Sequence, residues 1–312
     1  MYAAIVHQTN QPPSYASFAM PEARQGECLI TVNAAAISHV VKSRASGQHY
    51  SFDGALPFVP GIDGVGTRPD GQRVWFAFPR APWGSMAEFA PVAEQHCIPL
   101  VDGLDSISAA AMANPGMSAW AALVSRAGLR RGETVLINGA TGSAGQLAVQ
   151  IARYLGAGKI IVTGRNAAVL HSLGADHAIN LTDESEALRQ QFAGAFATPV
   201  DVVVDYLWGS SAELILTAAA KAKSPTRFVQ VGALSGQDIR LSGAWLRAAP
   251  IQLMGSGIGS LSLPQLLQAT AEMFAVALPA QLRIATTPAP LSDVETAWLR
   301  DDSQKRTVFV IS

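Results

Sequence analysis

Glu133-Thr134-Val135-Leu136-Ile137-Asn138 runs straight into Gly139-Ala140-Thr141-Gly142-Ser143-Ala144-Gly145 and then into Gln146-Leu147-Ala148-Val149-Gln150-Ile151-Ala152. The first segment is an apolar run of strand length, the second a glycine-punctuated turn, and the third carries helical periodicity. A strand that opens a helix through such a turn offers backbone N–H groups at a helix N-terminus. A pyrophosphate is held there when no Cβ keeps it away. Gly142 and Gly145 are expected to supply that room. Ala140 stands where the G-x-G-x-x-G fingerprint has its first glycine, so the flanking strand and helix must carry part of the match. The alternative, a tight strand-to-helix turn that binds nothing, is disfavoured by that context.

The same grammar repeats downstream. Short apolar runs at 159–163, 177–180, 200–205, 227–231 and 251–255 alternate with helix candidates at 143–155, 167–173, 184–193 and 211–221. With 133–138 they make six strands joined by crossovers, an α/β, doubly wound domain on a parallel sheet. Before residue 104, Gly and Pro punctuate short runs at 29–37, 74–78 and 96–100, and residues 1–7 read as a first strand. This is a β-rich pattern. After 258 the expected order is helix 263–277, strand 282–286, helix 291–299 and strand 307–311. These late strands have no obvious place in a six-stranded sheet, so the tail is expected to return to the first domain.

Composition sets the outer bounds. The 312 residues carry 22 Lys+Arg against 23 Asp+Glu, a net charge of -1, which leaves no basic excess for nucleic acid. Charged residues are 14% and hydrophobic residues 49%. That is enough for large cores, and at this length two domains are favoured over one. Cys28 and Cys97 form no C-x-x-C, which argues against a disulfide framework and a thiolate zinc site and fits a reducing cytosol. The uncharged window 248–271 contains Pro250, Pro264, Gly255, Gly257 and Gly259, so no membrane span is expected. The N-terminus lacks a basic n-region.

An NAD site places a carboxylate about 20 residues past the first glycine. Here that position reads Thr163-Gly164-Arg165-Asn166, and no Asp or Glu occurs between Ala157 and Ala175. Gly164 lets the chain turn, Arg165 can meet a 2′-phosphate and stack on adenine, and Asn166 is a neutral donor beside it. NADP(H) is therefore the expected cofactor. Lys159, His171 or Lys223 are the competing sources of positive charge. Val231 and Gly232 after the fifth strand, and Gly255, Ser256 and Gly257 after the sixth, complete the expected cofactor contacts. A short-chain dehydrogenase is disfavoured: its loop would lie near residue 10, and none of the five tyrosines has a lysine four residues on.

In this setting the chain resembles the medium-chain dehydrogenase/reductase superfamily, in its zinc-independent quinone oxidoreductase branch. The resemblance rests on the run from Pro57 to Gly66 (Pro-Phe-Val-Pro-Gly-Ile-Asp-Gly-Val-Gly), on Gly71-Gln72-Arg73-Val74 and on Gly84-Ser85-Met86-Ala87-Glu88-Phe89. It continues through Arg131-Gly132-Glu133-Thr134-Val135, Leu173-Gly174-Ala175-Asp176-His177, Val200-Asp201-Val202-Val203-Val204-Asp205 and Phe228-Val229-Gln230-Val231-Gly232. It implies a GroES-like β-rich substrate domain from residues 1–112 and 278–312, with a Rossmann NADP-binding domain, 113–277, inserted between them. The active site would lie in the cleft. Zinc-dependent members carry metal ligands at places that here resemble Ser38, Ile62 and Asn114. Isoleucine cannot ligate zinc, and a hydroxyl and an amide do not rescue the set, so no zinc is expected.

Relatives show Gly-Val-Asn-x-x-Asp where this chain has Ala36-Ile37-Ser38-His39-Val40-Val41. The amide becomes the Ser38 hydroxyl and the carboxylate becomes Val41. Ser38, Tyr50 and Asn114 are the hydrogen-bond donors expected to stabilise charge on a substrate oxygen. The resulting expectation is an NADPH-dependent reductase of a quinone or α,β-unsaturated carbonyl, a small-molecule enzyme of the cytosol. Two rivals remain: a reductase of simple aldehydes or ketones, and a non-catalytic NADPH-binding sensor. The uncharged edge strand 251–254 predicts an isologous homodimer, as the resemblance also implies.

Overall fold

The computed structural model describes residues 1–48, 52, 54–300 and 304–311. The chain divides into two compact units, Met1–Asn114 with Phe274–Ser312, and Pro115–Met273.

The first unit opens on an antiparallel pair, β1 (Tyr2–Ile5) and β2 (Ser14–Ser17). Its main sheet is organised by β3 (Glu27–Ala36), whose buried and half-buried positions alternate over most of its length, as a strand with one face on a core requires. Helix α1 (His39–Ala45) follows, then β4 (Asp63–Thr67), β5 (Arg73–Ala77), β6 (Phe89–Ala93) and β7 (Cys97–Pro99). The first half of β3 pairs with β6. A register shift between Val32 and Ala34 then re-aims the strand toward its later partners. β4 has no apolar run to announce it, and the reason is steric: a Cβ on Gly66 would lie 2.4 Å from both Ile30 Cγ2 and Thr31 O. Ile30, Val32, Val74, Phe76, Met86 and Val92 are buried in the core beneath.

The chain leaves this unit along α2 (Ser106–Trp120), in which Pro115 removes one helical N–H. A π-helical turn, Ala121–Arg126, closes it. The second unit then alternates β8 (Thr134–Asn138), α3 (Ser143–Tyr154), β9 (Lys159–Gly164), α4 (Ala167–Ser172), β10 (His177–Asn180), α5 (Ser185–Ala195), β11 (Val202–Asp205), α6 (Gly209–Ala222), β12 (Thr226–Gln230), α7 (Gly243–Ala248) and β13 (Ile251–Gly255). All six strands are parallel, in the order β10-β9-β8-β11-β12-β13. Central residues such as Val135, Leu136 and Ile137 are all fully buried, because both faces of such a sheet are covered. Leu136, Ile161, Val203 and Phe228 share one core cluster with Phe192 of α5 and Ile215 of α6.

Helix α8 (Leu263–Ala277) carries the chain back, and β14 (Thr286–Pro290), α9 (Val294–Ala297) and β15 (Arg306–Val310) complete the first unit. β15 pairs antiparallel with β3, and β14 lies at the sheet edge beyond it. The expected strand 282–286 is therefore displaced. Leu282 instead donates its N–H to Ala277 O at 2.8 Å, just after Gln281 takes a positive φ of 51°, so this apolar residue terminates α8. The strand begins at Thr286 and tolerates Pro288 and Pro290 because it is an edge strand. The helix expected over 291–299 is shorter, a 3-10 turn at Leu291–Asp293 followed by α9.

Candidate functional site

The loop after β8 is built on a fully buried polar network. Asn138 Nδ2 donates to Asp205 Oδ1 at 2.7 Å and to Ser211 Oγ at 2.9 Å, while Thr163 Oγ1 donates to Asn138 Oδ1 at 2.6 Å. Asp205 Oδ1 also accepts the N–H groups of Leu207 and Trp208 at 2.9 and 3.0 Å. Burial pushes the Asp205 carboxyl above its ordinary range, against the pull of the Trp208 and Leu207 N–H groups and Asn138. The network ties the ends of β8, β9 and β11 together. It also holds the loop: the N–H groups of Gly139 and Ala140 reach Thr163 O at 3.2 and 2.8 Å.

Gly139 has φ of 91°, and a Cβ there would lie 2.9 Å from Leu207 Cγ. Gly145 is confined by the loop itself, since its Cβ would sit 2.4 Å from Gly139 O and 2.6 Å from Ala140 Cα. Gly142 is different: nothing lies nearer than Gly139 O at 4.0 Å. The sequence expectation that both glycines leave room for a ligand thus divides. Gly145 lets the turn close on helix α3, and Gly142 leaves open space in front of it. Gly142 is the N-cap of α3, no side chain caps the helix, and its first turn holds no acid. The amides of Ser143, Ala144 and Gly145 stand at the positive end of the helix dipole. Thr141, half-buried, has its carbonyl fixed by Gln146 Nε2 at 3.0 Å.

At the end of β9, Gly164 does not take a positive φ. It is needed because Thr141 Cγ2 would lie 2.4 Å from its Cβ, a correction to its expected role as a turn residue. Arg165 is exposed and makes no ion pair or hydrogen bond among the described residues. Asn166 caps α4, its Oδ1 accepting Val169 N–H at 3.1 Å and leaving its NH₂ group. Val231 and Gly232 donate their N–H groups to Asp205 O at 2.7 and 3.1 Å. Ser256 is buried between exposed Gly255 and Gly257, and its N–H reaches Gln230 O at 2.8 Å. All these positions follow the C-terminal ends of parallel strands, so one sheet edge gathers every residue expected to touch the cofactor.

The expected catalytic residues belong to the first unit. Ser38 is buried and is the N-cap of α1, with Oγ accepting Val41 N–H at 3.2 Å, so only its hydroxyl hydrogen is left to donate. Asn114 is half-buried in α2. Tyr50 lies outside the described residues, as does His49. Val41 and Ile62 line a largely apolar pocket of about 320 Å³ with Phe52, Phe58, Phe78 and Trp83, and Arg44 adds a charged group to its wall. Beside it, Asp63 is buried, and Trp75 Nε1 donates to its Oδ2 at 3.2 Å. Burial, opposed by that hydrogen bond and by the charge of Arg306, pushes Asp63 up to about 6. Arg306 donates through Nη2 to Ile37 O at 2.8 Å.

Sequence reasoning missed the Asn138–Thr163–Asp205–Ser211 network, the aromatic pocket and the Asp63 environment. The only available signal was polar residues ending otherwise apolar strands. Nor did the spacing of Cys28 and Cys97 announce that their sulfurs lie 3.7 Å apart.

The profile described as zinc-binding dehydrogenase matches residues 144–273. A protein of Emericella nidulans named probable NADPH-dependent quinone reductase is 30% identical over the full length of both chains. Quinone oxidoreductase of Rattus norvegicus is 37% identical over 44% of each chain. Among solved structures, the quinone oxidoreductase of Thermus thermophilus, described also in complex with NADPH, superposes with TM-score 0.81 at 25% identity, covering 99% of this chain and 100% of that one. A mycobacterial quinone oxidoreductase superposes with TM-score 0.86 at 22% identity over 99% of both chains, a likeness of fold.

Proposed function

Since the chain belongs to the medium-chain dehydrogenase/reductase family, among its quinone oxidoreductase-like members, we propose that it is an NADPH-dependent reductase of quinones and α,β-unsaturated carbonyls that works without zinc. One observation carries the reading: the uncapped amides of α3 behind the open face of Gly142, with Arg165 exposed and unpaired at the neighbouring strand end. A 2′-phosphorylated dinucleotide uses both features, and the buried network fixes the loop that carries the first. The pyrophosphate would rest on the amides of 142–145 and a 2′-phosphate would meet Arg165. Gly164 and Asn166, with Val231, Gly232, Gly255, Ser256 and Gly257, would border the rest of the molecule. Bound there, NADPH supplies a hydride.

The chain's own share of the chemistry is to exclude water and to stabilise the oxygen that gains negative charge. The aromatic pocket of the first unit suits a flat, apolar acceptor. Ser38, Asn114 and Tyr50 are the donors we assign to that oxygen. The zinc-free reading is supported by Ile62, whose side chain offers no ligand atom, with only a hydroxyl and an amide at the other two places. A conjugated acceptor spreads the incoming charge, which is why one or two neutral donors suffice.

The reading extends to a homodimer joined through β13, an edge strand without charge on which Gln252 and Leu253 are exposed. It extends also to a cytosolic location, on the scarcity of cysteine. The test is a steady-state screen of NADPH oxidation with quinones, enones and saturated carbonyls side by side. Turnover confined to the first two classes is expected. Preference for saturated carbonyls would replace the reading with an aldehyde or ketone reductase, and binding without turnover would replace it with a sensor.

A further inference from the structure

The parallel sheet has a second edge. Where the cofactor residues follow the strands, a pocket of about 530 Å³ precedes them, lined by Arg126, Arg130, Glu133, Asp201, Arg227 and Gln252 among others. Glu133 comes just before β8 and Asp201 just before β11. Five residues of β8, at about 3.3 Å each, put this pocket roughly 15 Å from the glycine loop, so the two are separate places.

Of the pocket's acids, Glu133 is ion-paired and Asp201 accepts through one oxygen. Glu133 forms an ion pair with Arg227 at 2.6 Å, and its Oε2 accepts Arg130 N–H at 2.8 Å. Asp201 Oδ2 accepts Thr134 N–H at 2.8 Å. Arg227 is engaged in turn, donating also to Ala127 O at 2.6 Å and Gly128 O at 3.1 Å. Two further guanidinium groups, on Arg126 and Arg130, make no ion pair or hydrogen bond among the described residues, although the charge of Arg130 acts on Glu133. Arg126 ends the π-helical turn, a local conformation found often at functional sites, and its Nε is sealed from solvent without a hydrogen-bond partner among the described residues. Arg130 is exposed and joins no ion pair there. A cavity of this size whose lining sets Arg126, Arg130 and Arg227 against Glu133 and Asp201 carries a net positive charge, and the guanidinium groups of Arg126 and Arg130 make no hydrogen bond among the described residues.

We propose that this pocket is a second ligand site, distinct from the dinucleotide edge, which takes a small oxyanionic molecule whose phosphate or carboxylate oxygens accept from Arg126 and Arg130. The volume exceeds what a bare ion fills, so a multiply charged organic anion should bind more tightly than inorganic phosphate.

The probes are inorganic phosphate and citrate, titrated calorimetrically into the parent, the Arg126→Gln/Arg130→Gln variant and Arg165→Ala. The parent should bind citrate at one saturable site, more tightly than phosphate. Loss of two charge-assisted donors should weaken this by about tenfold or more, and Arg165→Ala should leave it unchanged. Phosphate binding more tightly than citrate would overturn the assignment of an organic polyanion. Binding that survives the double substitution, that disappears with Arg165→Ala, or that never saturates would overturn the site. Should the double variant not fold, modification of the parent by phenylglyoxal decides the matter. Citrate should slow labelling of Arg126 and Arg130 but not of Arg165, and equal labelling with and without citrate overturns the proposal.

Discussion

Two glycines three residues apart are expected to fail in opposite ways. Gly145 lies in the first turn of α3, where replacing glycine by alanine ordinarily stabilises a helix by up to about 1 kcal/mol. Its Cβ, however, would lie 2.4 Å from Gly139 O and 2.6 Å from Ala140 Cα, and both are backbone atoms that no rotamer change can move. The loop must shift by about 1 Å against the Thr163 clasp, and overpacking of this kind costs about 1–3 kcal/mol. Gly145→Ala should therefore unfold several degrees below the parent, at roughly 2–4 °C per kcal/mol. At Gly142, φ of -81° and ψ of 165° suit alanine and no atom lies within ordinary contact. Gly142→Ala should melt within about 3 °C of the parent, the cost of a poorer N-cap, yet bind NADPH at least about tenfold more weakly, since its methyl group would occupy the face proposed for the pyrophosphate. Scanning calorimetry and fluorescence titration with NADPH read the two effects separately. A Gly145→Ala protein more stable than the parent, or Gly142→Ala with undiminished NADPH affinity, would refute the division of labour.

Arg165→Ala should weaken NADPH by about ten- to a hundredfold, the value of a hydrogen bond to a charged group, while sparing NADH and the melting temperature, because the exposed side chain holds nothing else in place. An unchanged NADPH/NADH ratio by direct titration would move the 2′-phosphate contact to another cation. For Asp63, raised from 3.8 to about 6, the folded protein keeps a proton that the unfolded chain has lost across that window, so this group lowers stability as pH rises through it. Its contribution is about 3 kcal/mol at most. Asp63→Asn should gain on the parent in denaturant unfolding between pH 4 and pH 7, and a constant difference over that range would contradict the assignment.

The second unit was readable because its strands are continuous β-branched runs separated by helices of crossover length, and each expected strand from 133–138 to 251–255 has its counterpart among β8 to β13. The first unit was harder for a local reason. β4 carries Gly64 and Gly66 where a strand would normally show side chains, and β2, Ser14–Ser17, alternates only half-buried and exposed positions. Helix α1, at seven residues, is too short for periodicity to declare itself. At the candidate site, the glycines and Arg165 could be singled out as candidates from the text. What could not be read was which glycine faces its own loop and which faces open space, because that depends on where Thr163 and Leu207 arrive from elsewhere in the chain.

The pairing of β15 with β3 has a consequence for synthesis on the ribosome. Phe309 and Val310 meet Ala35 and Ala34, so β3 emerges long before the strand it pairs with. At about 5–20 residues per second, the stretch between Pro99 and Arg306 takes roughly ten to forty seconds to translate. The inserted second unit has all six of its strands within that interval and can form as the nascent chain lengthens. The first sheet meanwhile carries an open, apolar edge at β3, and this is the surface a ribosome-associated chaperone would have to shield.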